Sequence, residues 1–456
     1  MAGRSLVGII RINGERDRSA ETSNRTYTRG IDRDECGESI MARERAVSLR
    51  EEGAIRDAWL EERLETVLPE VMERAGFDCW VLVAREYNED PIVKTMLPAT
   101  WITARRRTIL VFTDFGRERA AIARYAVGSA FPAVWAPEDE PDQWARLNSY
   151  LEEKAPRRIA LDSSSLFAVA DGLSASEHAQ MLDALSPTLR ERVVATHEPA
   201  IGWLETRSKS EIAAYPDICA RAHDLLRTAL SPEVVAPGVT STAEVEWWLR
   251  ESVSTLGYRT WFHPSVSVQR RLRVVNGDFS EHPGDIVIER GDLVHIDFGI
   301  EYLGLHTDQQ QHAYVLREGE TEAPEGLRSG LGAANRLQDI VVEQFPRRAT
   351  GNEVLAAARR QAIAERLQPC IYSHPIGLHG HGAGPTIGLW DQQYGVTGTG
   401  DYPIYDDTAY SIELSVTQDV PEWNDLEVRF MLEEDALFSS GELRFLDGRQ
   451  TEFWLI

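Results

Sequence analysis

Between residues 45 and 75 apolar side chains recur at three- and four-residue steps. Ile55, Trp59, Leu60, Leu64, Leu68, Val71 and Met72 outline one helical face. Two short apolar runs follow, CWVLVA at 79–84 and RTILVF at 107–112, and a third, RIALD, begins at 158; their length and β-branched content predict strands. Strands mixed with helical segments predict an α/β domain over 45–200. The pattern changes at WLETRSKSEI, where Ser208 or Ser210 caps a new helix running through Ile218, Ala222, Leu225 and Leu226 to Leu230. In PGVTSTAEVEWWLRESVSTLG, Pro237–Gly238 make a turn and Thr240 to Thr242 offer capping hydroxyls. Val245, Trp248, Leu249, Val253 and Leu256 mark the next helical face, and Gly257 stops it. Two further helices are expected around 326–345 and 351–367, with strands at 285–289, 293–298, 310–316, 410–417 and 427–438. Residues 201–456 therefore predict helices lying on a mixed, mostly antiparallel sheet. Residues 1–44 are a polar extension of mixed charge with few apolar anchors, expected either to be mobile or to drape over a partner subunit.

Composition narrows the setting. A length of 456 residues fits two or three domains, and 43% hydrophobic content supplies their interiors. A net charge of −25 argues against nucleic acid or an anionic membrane as partner, and it leaves room for an acidic cluster that holds cations. The four cysteines lie far apart and form no CxxC pair, which fits a reducing compartment. The apolar run Leu6–Ile10 is too short for a leader core and no run reaches membrane-spanning length, so a cytoplasmic protein is expected.

Several acids then stand where apolar residues are expected. GDLVHIDFGIEYLGLHTD (291–308) carries Asp297 inside a strand and Asp308 eleven residues later. AYSIELSV carries Glu413, VRFMLEEDALF carries Glu433 and Glu434, and SHPIGLHGHGAGPTIGLWD carries His374, His379 and His381. A lone buried carboxylate is costly and tends to take up a proton. Taken singly, each of these acids is a turn, cap or ion-pair residue more often than a ligand, and the histidine segment reads as a glycine-rich surface loop. Four such segments together point to divalent cations. Carboxylates with one imidazole suit manganese, cobalt, iron or zinc, and several carboxylates can bridge a pair of ions.

The order Asp, Asp, His, Glu, Glu resembles the pita-bread metallopeptidases, the superfamily of methionine aminopeptidase, aminopeptidase P, prolidase and creatinase. IDFGIEYLGLHTD resembles the family's Asp-x-Gly…Gly…Asp hairpin, HPIGL with His381 its paired-histidine segment, and LEEDALF its last acidic strand. KSEI and PGVTSTAEVEWWL resemble its first two helices. The likeness covers about residues 205 to 456, and the preceding α/β segment is similar to the smaller domain of the creatinase, aminopeptidase P and prolidase branch. By this resemblance Asp297, Asp308, His374, Glu413 and Glu433 hold two divalent ions, manganese foremost, with zinc, cobalt or iron as alternatives. Glu434 rivals Glu433, and His379 rivals His374. Strand alternation lets only one of Glu433 and Glu434 face the ions. His381 is the expected second active-site histidine, and Glu413 is expected to relay a proton besides ligating. His282 is the candidate for a further histidine before the Asp hairpin, with His263 as alternative.

The implied activity is an Xaa-Pro aminopeptidase or dipeptidase acting on a small peptide, and the implied assembly is a homodimer. Several positions depart from the family. Asp308 is followed by QQQHAY rather than a Thr-Arg pair, Glu413 by LSV rather than Pro-Gly, and Cys370 stands where aminopeptidase P-like enzymes carry a histidine. GHGAGPTIGLWDQQYGVTGTGDYP (380–403) is either part of a pocket rim or a long surface loop. These departures keep open a pita-bread enzyme acting on a non-peptide small molecule, by C–N hydrolysis or lyase chemistry, and a non-catalytic binding protein.

Overall fold

A computed structural model describes residues 45–271, 285–345, 349–381 and 383–456. The extension 1–44 and the candidate His282 lie outside the described residues.

The apolar run at 79 becomes β1 (Cys79–Arg85), buried at every position but the last, as befits a central strand. β1 pairs antiparallel with β2 (Arg107–Thr113) and parallel with β4 (Ile159–Asp162). β3 (Glu118–Ile122) and β5 (Val193–Thr196) complete a sheet of order β3-β2-β1-β4-β5. The helical face at 45–75 forms two helices, Leu49–Glu65 and Val67–Ala75, parted at Thr66. From the first, the Arg63 guanidinium reaches the Glu211 carboxylate at 2.7 Å and the Thr206 carbonyl at 2.8 Å, all buried. That pair ties the N-terminal α/β region to the helix that opens the second half.

This helix, Lys209–Ala229, and the next, Thr242–Leu256, both begin in capping boxes, Ser208 with Glu211 and Ser241 with Glu244. Ser208 rather than Ser210 is thus the cap, and Gly257 closes the second helix in a left-handed conformation. Both pack with Val266, Val294 and Ile296 in one apolar core. Helices Glu325–Glu343 and Gly351–Ala364 pack with Leu414, Val416 and Phe430 in a second. Between these layers run β6 (Ser265–Gln269), β7 (Leu293–Phe298), the hairpin β8 (Glu301–Tyr302) and β9 (Leu305–His306), and β10 (Gln309–Tyr314). They are followed by β11 (Pro369–Ile371), β12 (His374–Ile376), β13 (Thr408–Ser411), β14 (Leu414–Val420), β15 (Leu426–Leu432), β16 (Asp435–Ser439), β17 (Glu442–Phe445) and β18 (Trp454–Leu455). The sheets read β18-β10-β7-β6, β11-β14-β15 and β12-β13-β16-β17, antiparallel except for β10 with β18.

Three expected strands need correction. Residues 285–289 form no strand; Ile288 exchanges backbone bonds with Gly238 and Thr240, and the pairing stops at a single bridge of Val287 with Ser241, where the helix begins at Thr242. The strands expected at 410–417 and 427–438 are each broken in two, at Ile412–Glu413 and at Glu433–Glu434. At both breaks the chain leaves one sheet for another, and acids stand at the crossing. No described helix is long and apolar enough to cross a membrane.

Candidate metal centre

The two breaks, the end of β7 and the start of β10 converge on one cavity of about 300 Å³, lined by Asp297, Asp308, Gln310, His381, Glu413 and Glu433 among others. Three overlapping groups of side chains each bring their ligand atoms within 4.8 Å of one another. These are Asp297, Asp308 and Glu433; His374, Glu413 and Glu433; and Asp308, His374 and His381. All five residues expected to hold metal, together with His381, therefore share one site. His374 Nε2 lies 3.4 Å from Glu433 Oε1 and 3.8 Å from Asp308 Oδ2. His381 Nε2 lies 3.9 Å from Asp308 Oδ2, and its ring meets that of His374 edge-on at 4.4 Å.

Each position has a local cause. The short β8–β9 hairpin returns the chain so that Asp308 follows Asp297 into the same cavity. Asp308 is pinned there by its N–H to the Asp435 carboxylate and by its carbonyl, which accepts from Ser411 Oγ. Gln310 lies opposite Asp297 in the β7–β10 register, and its backbone bridges to Glu433. His374 opens β12 and places its Nδ1 3.0 Å from the Pro375 carbonyl. A proton on Nδ1 leaves the Nε2 lone pair aimed at the acids, the tautomer a metal ligand needs.

The rivals are turned elsewhere. Glu434 faces the opposite side, 2.8 Å from His223 Nε2, and accepts from Gln311 Nε2 and the Gln450 N–H. His379 packs beside His306, with burial and then His306 holding its pKa down to about 4. His263 lies beside Glu246, Trp247 and Arg250, away from the cluster.

The acids suit a cation. Burial, and after it the charge of Glu433, drives Asp297, Asp308 and Glu413 well above the ordinary carboxylate range. Asp297 Oδ1, Asp308 Oδ1 and His374 Nε2 are buried without a hydrogen-bond partner. Orphaned acceptors aimed into one cavity, oxygens plus one imidazole nitrogen, fit divalent ions, and two ions match the number of carboxylates.

Several cavity residues were not singled out by sequence. Gln310 Nε2 donates to Glu413 Oε1 at 2.8 Å and to Glu433 Oε2 at 2.7 Å, while its Oε1 accepts from His295 Nε2 at 3.0 Å. Burial and the neighbouring His312 keep His295 neutral, so its one N–H orients the amide. The only signal was three glutamines in a strand otherwise fit for apolar residues. Replacing Gln310 with leucine is expected to weaken metal affinity by about 10- to 100-fold, because the two carboxylates lose their shared donor. Calorimetric metal titration checks this; unchanged affinity would remove Gln310 from the centre. The insertion at 380–403 does reach the cavity. Trp390 lines it, while Tyr394 is 98% exposed.

Residues 213–435 match metallopeptidase family M24. The segment that carries the site is an M24 domain, with an α/β region before it. The protein superposes on the X-Pro aminopeptidase of Thermotoga maritima MSB8 at TM-score 0.61 and 17% identity, over 84% of this chain and 99% of that one. The Xaa-Pro dipeptidase of Bacillus anthracis gives TM-score 0.59 at 17% identity over 87% and 100%. The dipeptidase PepE of Mycobacterium ulcerans gives 0.59 at 19% over 88% and 98%. At these identities the likeness is one of fold. No curated protein aligns significantly with this sequence. The pita-bread expectation for the second half, and the α/β region before it, hold.

Proposed function

We propose that the protein is a dinuclear metal-dependent hydrolase that cleaves an amide bond in a small peptide, most nearly in the manner of Xaa-Pro peptidases. The observation that carries this reading is the set of orphaned, mutually repelling buried ligands around one cavity. Asp297, Asp308, His374, Glu413 and Glu433 hold the ions, with manganese as the first candidate. When bound, the ions polarise the scissile carbonyl and make water nucleophilic near neutral pH.

The chain supplies the rest. Gln310 keeps Glu413 and Glu433 oriented, and Glu413 is the carboxylate placed to accept and pass on a proton. His381 faces the cavity, its side chain 54% exposed. Its seat in the cleft, and then His374, lower its pKa, so a neutral imidazole is available to donate to oxygen as charge develops there. Replacing His381 with alanine is expected to lower kcat by about 10²- to 10³-fold while metal content stays at the wild-type level. Parallel kinetics and elemental analysis check both halves of that statement.

The function itself is tested by measuring metal per chain in protein purified without chelator, then assaying an Xaa-Pro dipeptide panel. Two equivalents and turnover support it; protein that takes up no metal on reconstitution refutes it. A non-peptide amide is the second reading. It draws support from the QQQHAY that follows Asp308, where the resembled peptidases carry a Thr-Arg pair. A homodimer in the cytoplasm is the proposed setting.

A further inference from the structure

The N-terminal α/β region carries a second cavity, of about 1050 Å³, which shares no lining residue with the metal centre. One wall is the connection from β1 to β2, which contributes Trp101, Arg105 and Arg106. The other is the chain after β3, which contributes Arg124, Tyr125 and Trp135. The first wall contains ARRR, the only three consecutive arginines in the sequence. In an extended strand such neighbours would face opposite sides in turn. Here Arg106 takes a left-handed conformation, φ 52°, and its carbonyl accepts from the Glu86 N–H at 2.6 Å. Alternation is broken there, and Arg105, Arg106 and Arg107 all line the one cavity.

These arginines differ in what balances them. Arg107 is bidentate on Glu177, at 2.7 and 3.1 Å, so its charge is offset. Arg124 meets Glu138 at 2.7 Å in an exposed pair, which water screens. Arg105 and Arg106 are exposed, and among the described residues no carboxylate pairs with either. Arg105 instead lies over the Trp101 ring, 5.0 Å from its centroid. The chain has 73 acids against 48 lysines and arginines, so a cleft with four arginines beside the single acid Glu86 runs against its overall charge. The walls are set before any ligand arrives. Trp135 Nε1 donates to the Glu140 carbonyl at 2.8 Å, and the Val134 N–H donates to the Ala121 carbonyl of β3 at 3.0 Å. Gln143 Nε2 ties one wall to the other, donating to the carbonyls of Ile122 at 2.6 Å and Arg107 at 3.1 Å.

Aromatic faces stack on planar bases, and a free guanidinium matches phosphate oxygens in both geometry and charge. A cavity at the large end of small-molecule sites has room for a ring and a chain of phosphates together. We infer that this cleft is a binding site for a nucleoside polyphosphate, its base among Trp101, Tyr125 and Trp135 and its phosphates on Arg105, Arg106 and Arg124. A purely apolar ligand would leave the guanidiniums unused, and inorganic phosphate would leave the rings bare. The inference does not depend on the hydrolase reading.

The test is a calorimetric titration of the chelator-treated full-length protein, in buffer free of divalent ions, so that no metal bridges the ligand to the acidic centre. The probes are ATP, adenosine and inorganic triphosphate. ATP is expected to fill a single site per chain, with adenosine and triphosphate each weaker by about tenfold or more. Replacing Arg105 and Arg106 together with glutamine should weaken ATP and triphosphate alike by about ten- to hundredfold, and should leave the melting temperature unchanged because both side chains are exposed. Trp101→Ala should weaken ATP and leave triphosphate as it is. No saturable binding of ATP, triphosphate bound as tightly as ATP, or ATP affinity that survives the double substitution would each overturn the inference. So would a wild-type dimer that the double substitution turns monomeric in sedimentation velocity, since the cleft would then be a contact between copies.

Discussion

Replacing Asp308 with alanine is expected to abolish metal uptake and turnover together while leaving the protein folded. The carboxylate belongs to two of the three ligand groups, with Asp297 and Glu433 and with His374 and His381, so its removal breaks both. Loss of the metals removes several kcal/mol of transition-state stabilisation, a fall in rate of more than about 10³-fold. The fold should survive because Asp308 is anchored through its backbone, to Asp435 and Ser411, rather than through its side chain. Stability offers a second readout. In metal-free protein Asp308 is one of several buried acids that repel one another, so its loss should leave the apo melting temperature unchanged or raise it. The increment that added manganese or zinc confers on the wild type should disappear. Elemental analysis, dipeptide assay and thermal unfolding with and without metal decide the matter. An Asp308→Ala protein that still turns over, or still holds two ions, contradicts the proposed centre.

Gly299→Ala should be nearly as damaging, for a steric reason. Gly299 starts the return from β7 toward Asp308. A methyl group on it would lie 2.0 Å from the Thr307 carbonyl oxygen and 2.7 Å from Trp261 Nε1. Those two atoms already share a hydrogen bond at 3.0 Å, and Thr307 Oγ1 accepts from the Ile300 N–H. Thr307 cannot retreat without carrying Asp308 with it, and Trp261 is part of the cavity wall. Overpacking of this kind costs about 3 kcal/mol or more where the obstacle is backbone. The variant should melt well below the wild type and lose metal, because Asp297 and Asp308 no longer share a cavity. Wild-type melting with full metal content would show that the hairpin accommodates the methyl group. The Asp-x-Gly pattern thus has a physical basis: the glycine is required for space rather than for an unusual backbone angle.

The elements themselves were legible in the sequence because they depend on neighbours. Ser208 and Ser241 each bond an amide three residues on, and Gly257 ends a helix through its own backbone freedom, so caps and stops can be read locally. The chemical type of the centre was legible because acids and histidines recur in four separate segments, and several carboxylates buried together are costly without a cation. The choice between Glu433 and Glu434 was not. Local alternation says that they face opposite ways, and only the crossing of β10 against the β15–β16 break decides which way holds the cavity.

Gln310 meets Glu433 across 123 residues of sequence, through the register of two separate sheets. Arg429 reaches the cavity because Gln269, 160 residues away, clamps its backbone. The strands expected at 410–417 and 427–438 run through their acids because hydropathy continues across both breaks, whereas the break is imposed by where partner strands end. Short-range sequence therefore determined the helices, their ends and the kinds of ligand. The tertiary structure alone decided which of the candidate side chains share a cavity, because that depends on strand register between segments far apart in the chain, which no local pattern encodes.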